Sequence, residues 1–134
     1  MNVTQEEDSV TLIQHHYIET QLERFNCQDL HPALTPLKPK GHLVKATRME
    51  RLEHAESGNN YRSLVGALNY LSATTRPDIT FAFGSLSQFL NAPGTKHWDA
   101  AIKVLRYLKG TKDIGLKLRK NTGEVILLGY ADAD

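Results

Sequence analysis

The sequence predicts a mainly α-helical domain of the α+β class. Apolar residues recur at helical spacing in four segments between residues 14 and 110, which is the pattern of helices that share one core. Prolines interrupt this pattern within residues 31–58, and two β-prone runs follow residue 113. We therefore expect an N-terminal helix, a proline-rich linker, a three-helix bundle and a C-terminal β-hairpin, in that order.

The N-terminal part, residues 1–30, is predicted to contain a strand followed by a helix. Residues 9–13 are rich in β-branched side chains, which favour a strand. Residues 14–26 then show apolar side chains at i, i+4 and i+7, which lie on one face of a helix. The apolar residues of that face are Ile18, Leu22 and Phe25.

Residues 31–58 are predicted to form a linker. Residues that rule out a continuous helix or a central strand are concentrated there, namely Pro32, Pro36, Pro39 and Gly41. The polar stretch at residues 48–56 leaves two structures open, a short helical turn or a loop. The linker should therefore cross the surface in an extended form.

The three-helix bundle is predicted over residues 59–112. Each of its three helices carries an apolar stripe, so the three faces can bury one another. Gly66 interrupts the first helix and is expected to mark a close approach of two helices, because a mid-helix glycine otherwise costs about 1 kcal/mol. The aromatic residues expected in the core are Phe81, Phe83, Phe89 and Trp98.

Residues 113–134 are predicted to form the β-hairpin. The runs at 114–119 and 124–131 are β-prone, and residues 120–123 between them carry turn chemistry. The second run is apolar, so an isolated hairpin would expose an edge that favours aggregation.

Composition narrows the class of protein. The chain has 134 residues, 40% of them apolar and 23% charged, which suits one domain. No apolar run is long enough to cross a membrane and the first residues are acidic, so we expect an intracellular protein, cytoplasmic or nuclear, without a membrane partner. Cys27 is the single cysteine, which excludes an internal disulfide. No glycine-rich phosphate loop or nucleophile elbow is present, and no small-molecule substrate is predicted.

The histidines are predicted to be surface residues. His15 and His16 are adjacent, so on a helix their side chains point about 100° apart, which does not suit a shared metal ion. The other four, His31, His42, His54 and His97, are scattered along the chain.

Positive charge is concentrated near the C-terminal end. Residues 96–120 carry eight lysines and arginines against two aspartates, whereas residues 1–30 carry six acidic residues against Arg24. Two interpretations remain open: a polyanionic partner, or a solvated helix face. The candidate nucleic-acid contacts lie on and next to the third bundle helix. Some stand opposite its apolar stripe, and the others are basic residues near its end: Lys96, Lys103, Arg106, Tyr107, Lys109 and Lys112.

Five blocks of sequence resemble the copia-type retrotransposon Pol polyprotein. They match, in order and spacing, its stretch from the reverse-transcriptase thumb and connection into the start of the ribonuclease H domain. The blocks are residues 61–71 (YRSLVGALNYL), 75–79 (TRPDI), 97–98 (HW), 104–111 (VLRYLKGT) and 129–134 (GYADAD). The resemblance implies a parent activity of RNA-directed DNA synthesis, and it implies that the C-terminal hairpin is the truncated start of a ribonuclease H sheet.

The resemblance also implies what this chain lacks. Polymerases of the family carry an adjacent aspartate pair that binds magnesium, and no such pair occurs in this sequence. Asp132 resembles the first metal-binding carboxylate of the nuclease, and Asp134 ranks second, but the sequence stops there. We therefore expect no catalysis and no cofactor in this chain, although the parent family uses magnesium.

Two functions follow from these expectations. The first is a non-catalytic part of a retrotransposon reverse transcriptase/ribonuclease H polyprotein that binds the template–primer backbone weakly through the basic helix. The alternative is an interaction module adopted by a host, in which the helical bundle binds a protein or a nucleic acid.

Overall fold

The computed structural model describes residues 1–39, 41–121, 123 and 128–131. It confirms a mixed α/β architecture, with five helices and a small antiparallel sheet in the described residues. A 3₁₀ turn at Pro77–Ile79 leads into the fourth helix. The strands are β1 (Asn2–Gln5), β2 (Ser9–Ile13) and β3 (Leu116–Arg119), and the helices are α1 (His15–Arg24), α2 (Arg48–Ser57), α3 (Tyr61–Thr74), α4 (Thr80–Ser87) and α5 (Thr95–Gly110).

Helices α3, α4 and α5 occupy the three segments in which the apolar periodicity predicts a bundle. Their apolar stripes meet in one core, because each helix has one face that only another helix can cover. The fully buried leucines of this core are Leu64, Leu68, Leu71, Leu86, Leu105 and Leu108. Helix α5 is central, since it contacts each of the other four helices.

Helix α2 settles the open alternative at residues 48–56 in favour of a full helix. The hydroxyl of Thr47 accepts a hydrogen bond from the Glu50 backbone N–H at 3.2 Å, and the Glu50 carboxylate accepts one from the Thr47 N–H at 3.2 Å. Gly58 ends the helix with φ +73°, a left-handed conformation that suits glycine. The Thr-x-x-Glu signature of this capping box is visible in the sequence.

The sheet joins the two ends of the described chain. Strand β2 lies in the middle and pairs with β1 and β3 in antiparallel fashion, with Thr11 opposite Thr4 on one side and Lys117 on the other. The first run of the predicted hairpin is therefore a strand, paired with residues 9–13. Its predicted partner lies largely outside the described residues, which exclude 124–127.

Polar contacts fix the sheet beside the bundle. The Gln14 side-chain oxygen accepts hydrogen bonds from the hydroxyls of Thr74 and Thr75 at 2.6 and 2.7 Å. His15 Nδ1 lies 2.7 Å from the Asp113 carboxylate, just after α5. Lys112 Nζ also donates to the Glu19 carboxylate of α1 at 3.2 Å, so the acidic N-terminal part contacts the basic C-terminal part directly, and β3 begins next to β2.

Three sequence-based expectations are wrong. Phe81 is 80% exposed on the outer side of α4, whereas Phe83, Phe89 and Trp98 do pack against the core. A Cβ atom at Gly66 would meet nothing within 4 Å, so this glycine does not mark a close helix contact. His54 and His97 are buried rather than on the surface, because neighbouring elements cover them.

None of the described helices combines the length and the apolar character that crossing a membrane requires.

Candidate nucleic-acid interface

The candidate interface is built on one face of α5. The helix begins after Gly94, whose backbone N–H donates to His97 Nδ1 at 3.0 Å. Lys96, Lys103 and Arg106 are spaced by seven and three residues, which places them along one side of the helix. All three are half-buried, so another part of the chain must cover this side.

The covering segment is the linker, and we call its residues 31–47, with Lys40 excepted, the strap. At one end, Arg106 Nε donates to the carbonyl oxygen of His31 at 2.7 Å, and the Ala33 N–H donates to the carbonyl oxygen of Arg106 at 3.2 Å. At the other end, Lys96 Nζ donates to the carbonyl oxygen of Lys45 at 3.0 Å. The strap is thus attached to α5 at both ends, and part of the positive charge binds linker carbonyls.

A pocket of about 440 Å³ lies between the two attachments. Lys103 lies beside it and makes no hydrogen bond or ion pair within the part of the chain that the structure describes. Lys96, in contrast, also forms an ion pair with Glu50 at 3.3 Å. The structure therefore brings three of the six predicted residues to one pocket, whose walls include Leu37, Lys38, Leu43, Lys96, Lys103 and Arg106.

The other three predicted residues are directed elsewhere. The Tyr107 hydroxyl donates to the Asp78 carboxylate at 2.7 Å. Lys109 Nζ donates to the carbonyl oxygens of Gln28 and Leu30, and Lys112 Nζ donates to Glu19 at 3.2 Å. Asp132 and Asp134, the candidate metal ligands, lie outside the described residues.

The sequence interpretation missed a buried arginine next to this helix. Arg76 is fully buried and pairs with both carboxylate oxygens of Asp78, at 3.0 and 2.8 Å. Burial raises the pKa of Asp78, but hydrogen bonds from Arg76 and Tyr107 outweigh that effect and hold this pKa below its usual value. Arg76 and Asp78 both stand in the 75–79 block, and this shared position is the signal by which they could have been found.

His97 is the second buried polar residue that the sequence interpretation misplaced. Its Nε2 lies 2.7 Å from the carbonyl oxygen of Val44, and its ring stacks on Phe89 with 3.9 Å between centroids. Because Nδ1 accepts from Gly94, Nε2 carries the proton and donates to Val44. Burial lowers the pKa of His97, so the neutral ring ties the strap to the start of α5.

A metal centre is not visible in the region described. Over residues 1–39, 41–121, 123 and 128–131, no three histidine, cysteine, aspartate or glutamate side chains are grouped so that they could hold a metal ion.

Comparison with known proteins gives the family context. The chain is 45% identical over 127 residues to the retrovirus-related Pol polyprotein from transposon TNT 1-94 of Nicotiana tabacum, covering 92% of this chain and 9% of that protein. It is 39% identical over 125 residues to the corresponding polyprotein from transposon RE2 of Arabidopsis thaliana, covering 92% of this chain and 8% of that protein.

A relative with a different name matches a shorter stretch. The secreted RxLR effector protein 161 of Plasmopara viticola is 49% identical over 74 residues, which is 55% of this chain and 51% of that protein. No protein-family model and no solved structure matches the chain.

These similarities confirm the family that the five sequence blocks indicate. The chain spans less than a tenth of the length of the transposon polyproteins it matches, 9% and 8% for the two above. By sequence, the chain is a retrotransposon polyprotein region, related to the retrovirus-related Pol polyproteins of transposons.

Proposed function

We propose that this chain is a non-catalytic region of a reverse transcriptase/ribonuclease H polyprotein that binds the template–primer backbone weakly. The observation that supports this proposal is the convergence of Lys96, Lys103 and Arg106 on one pocket beside α5. Lysine and arginine side chains bind phosphate oxygens without regard to base sequence, which is the chemistry that positions a polymerase on its substrate.

The binding should be weak, because the strap already uses part of the charge. Arg106 donates to His31, and Lys96 binds both a carbonyl oxygen and the Glu50 carboxylate. Lys103 is the cation of this face that a phosphate can reach without breaking a described contact. Few phosphate contacts imply a low affinity with a shallow salt dependence.

The absence of catalysis is part of the proposal. The sequence has no adjacent aspartate pair of the kind that binds magnesium in polymerases of this family. We propose that the described residues supply positioning groups and hold no resident cofactor. A cytoplasmic or nuclear location fits a protein whose partner is a nucleic acid.

The test is a titration of a labelled primer–template duplex at low and at moderate salt. Lys103→Glu should weaken binding at low salt by about tenfold, because it replaces an attraction to phosphate with a repulsion. Lys117→Glu makes the same change of charge at an exposed position of β3 and should have a smaller effect. Absence of binding at low salt, or equal effects of the two variants, would contradict the proposal.

A second candidate function is an interaction module adopted by a host. The observation that favours it is the match to the secreted effector, a relative whose name is not that of a transposon protein. The two functions predict different transcripts for this sequence. A transcript that joins it to polymerase and nuclease sequence supports the first function, and a separate gene with its own promoter supports the second.

A further inference from the structure

We infer that the pocket between the strap and α5 holds one nucleotide unit at a time, a phosphate with its sugar and base. This inference rests on the proposed function, whose ligand class it narrows. Three features of the pocket support the inference: the strap that covers it, its lining and the charges that remain available in it.

The strap limits what can reach the basic face. It is attached near Arg106 at one end and near Lys96 at the other, and ten residues of helix between them span about 15 Å. A duplex could contact the whole length of α5 only by displacing both attachments, so the weak backbone contact proposed above is confined to the space between them. The space left between them, about 440 Å³, falls within the range of small-ligand pockets.

The lining of the pocket suits the two ends of a nucleotide. Lys38 of the strap and Lys103 of α5 both line the pocket, and both can bind a phosphate there. Leu37 and Leu43 of the strap are half-buried and supply apolar surface for a sugar or base, and the exposed ring of His42 is a surface on which a base can stack. Inorganic phosphate would contact only the two lysines and not the apolar part of the lining.

Asp99 also lies at the pocket and is exposed. Its carboxylate opposes the binding of an anion and can accept a hydrogen bond from the amino group of a base. Asp99→Asn should therefore tighten the binding of phosphate-bearing ligands, which is a gain that misfolding cannot mimic.

The experiment uses the full chain and three probes: a nucleoside 5′-monophosphate, inorganic phosphate, and a four-nucleotide single strand with a 5′-phosphate. Binding is measured by NMR chemical shifts of the α5 amides. The monophosphate should bind at least about tenfold more tightly than inorganic phosphate, since it adds contacts to the apolar half of the pocket. Comparable affinity for these two probes would overturn the inference.

The same titrations identify the source of the nucleotide unit. Tighter binding of the single strand indicates the end of a nucleic acid, and tighter binding of the monophosphate indicates a free nucleotide. Lys103→Gln should weaken both, Asp99→Asn should strengthen both, and Lys117→Gln should change neither. Nucleotide binding that is indifferent to Lys103→Gln would place the ligand elsewhere and overturn the inference.

Failure of this inference differs from failure of the proposed function. Duplex binding that depends on Lys103, without competition from the monophosphate, would refute the nucleotide pocket and leave the backbone-binding proposal standing. Binding of the monophosphate without binding of duplex would refute the backbone-binding proposal and leave the nucleotide pocket standing. Absence of binding by duplex and by all three probes would refute both.

Discussion

Arg76, although fully buried, binds Thr111 through two hydrogen bonds, from Nη1 to the carbonyl oxygen at 2.9 Å and from Nη2 to the hydroxyl at 2.7 Å. The guanidinium thereby connects the turn before α4 to the residue that follows α5. Asp78 neutralises the charge of the guanidinium, and the centre of the Tyr107 ring lies 5.6 Å from the guanidinium carbon. This network fixes where the chain leaves the bundle towards β3, so it links the helical core to the sheet.

Replacing Arg76 with methionine should destabilise the chain by about 1–3 kcal/mol, because Thr111 and Asp78 lose the donors of Arg76 and methionine supplies none, while water can solvate part of the Asp78 carboxylate. The measurement is urea denaturation followed by circular dichroism. Arg62→Met is the matched control, since Arg62 is exposed on α3 and should change the free energy of unfolding by less than about 0.5 kcal/mol. Equal effects of the two variants would show that the network does not stabilise the fold.

Two glycine-to-alanine variants should have opposite effects. At Gly66 a Cβ meets nothing within 4 Å, so alanine should stabilise α3 by about 0.5–1 kcal/mol through its better helix propensity. At Gly94 a Cβ would lie 2.5 Å from the Ala46 Cβ and 3.1 Å from the Glu50 Cβ, so alanine should destabilise by about 1–3 kcal/mol. Thermal unfolding of both variants measures the contrast, and a stabilising Gly94→Ala would show that the strap does not pack against α5 as described.

His97 should make stability depend on pH. Burial holds its pKa in the folded chain below the ordinary value of 6.5, so the unfolded chain binds more protons as the pH falls through that value. Its contribution to stability is therefore complete above about pH 7.5 and is lost progressively on acidification. The free energy of unfolding at pH 7.5 and pH 5.5 should differ less in His97→Gln, which keeps a donor for Val44 but does not titrate.

The control for this prediction is His16→Gln, which makes the same substitution at an exposed position of α1, away from the strap. His15 contributes with the opposite sign, because the hydrogen bond to Asp113 raises its pKa, with Glu19 adding to it. That contribution is present in every variant compared and cancels. An unchanged pH dependence in His97→Gln would contradict the role given to His97.

Tyr61→Phe should destabilise the chain by about 0.5–1.5 kcal/mol. The Tyr61 hydroxyl donates to the carbonyl oxygen of Leu86 at 2.6 Å, and its loss removes this buried hydrogen bond, although the Phe89 N–H still donates to the same oxygen at 3.2 Å. Tyr70→Phe is the control, because Tyr70 is 45% exposed on the same helix. Chemical denaturation of both variants measures the free energy of unfolding. An unchanged value in Tyr61→Phe would show that water replaces the hydrogen bond.

The helices of the bundle and most of their buried residues follow from the sequence, because apolar spacing directly encodes which face of a helix is covered. The errors have equally physical causes. Phe81 is apolar but is 80% exposed, on a side of α4 that the other described elements leave uncovered, and Gly66 faces open space. The full length of α2 was encoded in the capping box of Thr47 and Glu50, a local signal that proline-rich surroundings obscured.

By itself, the sequence determined the helical segments, the relationship to transposon Pol polyproteins, and the set of basic residues on α5. Only the tertiary structure decided which of those residues meet, since the decisive contacts join distant parts of the chain: Arg76 with Thr111, 35 residues apart, Val44 with His97, 53 apart, and His31 with Arg106, 75 apart. Helical spacing predicts which residues within a few turns share a face, and it does not predict contacts between residues so far apart in sequence. It placed six candidate residues in one basic stretch, and the path of the strap divided them into three at the pocket and three that hold the fold together.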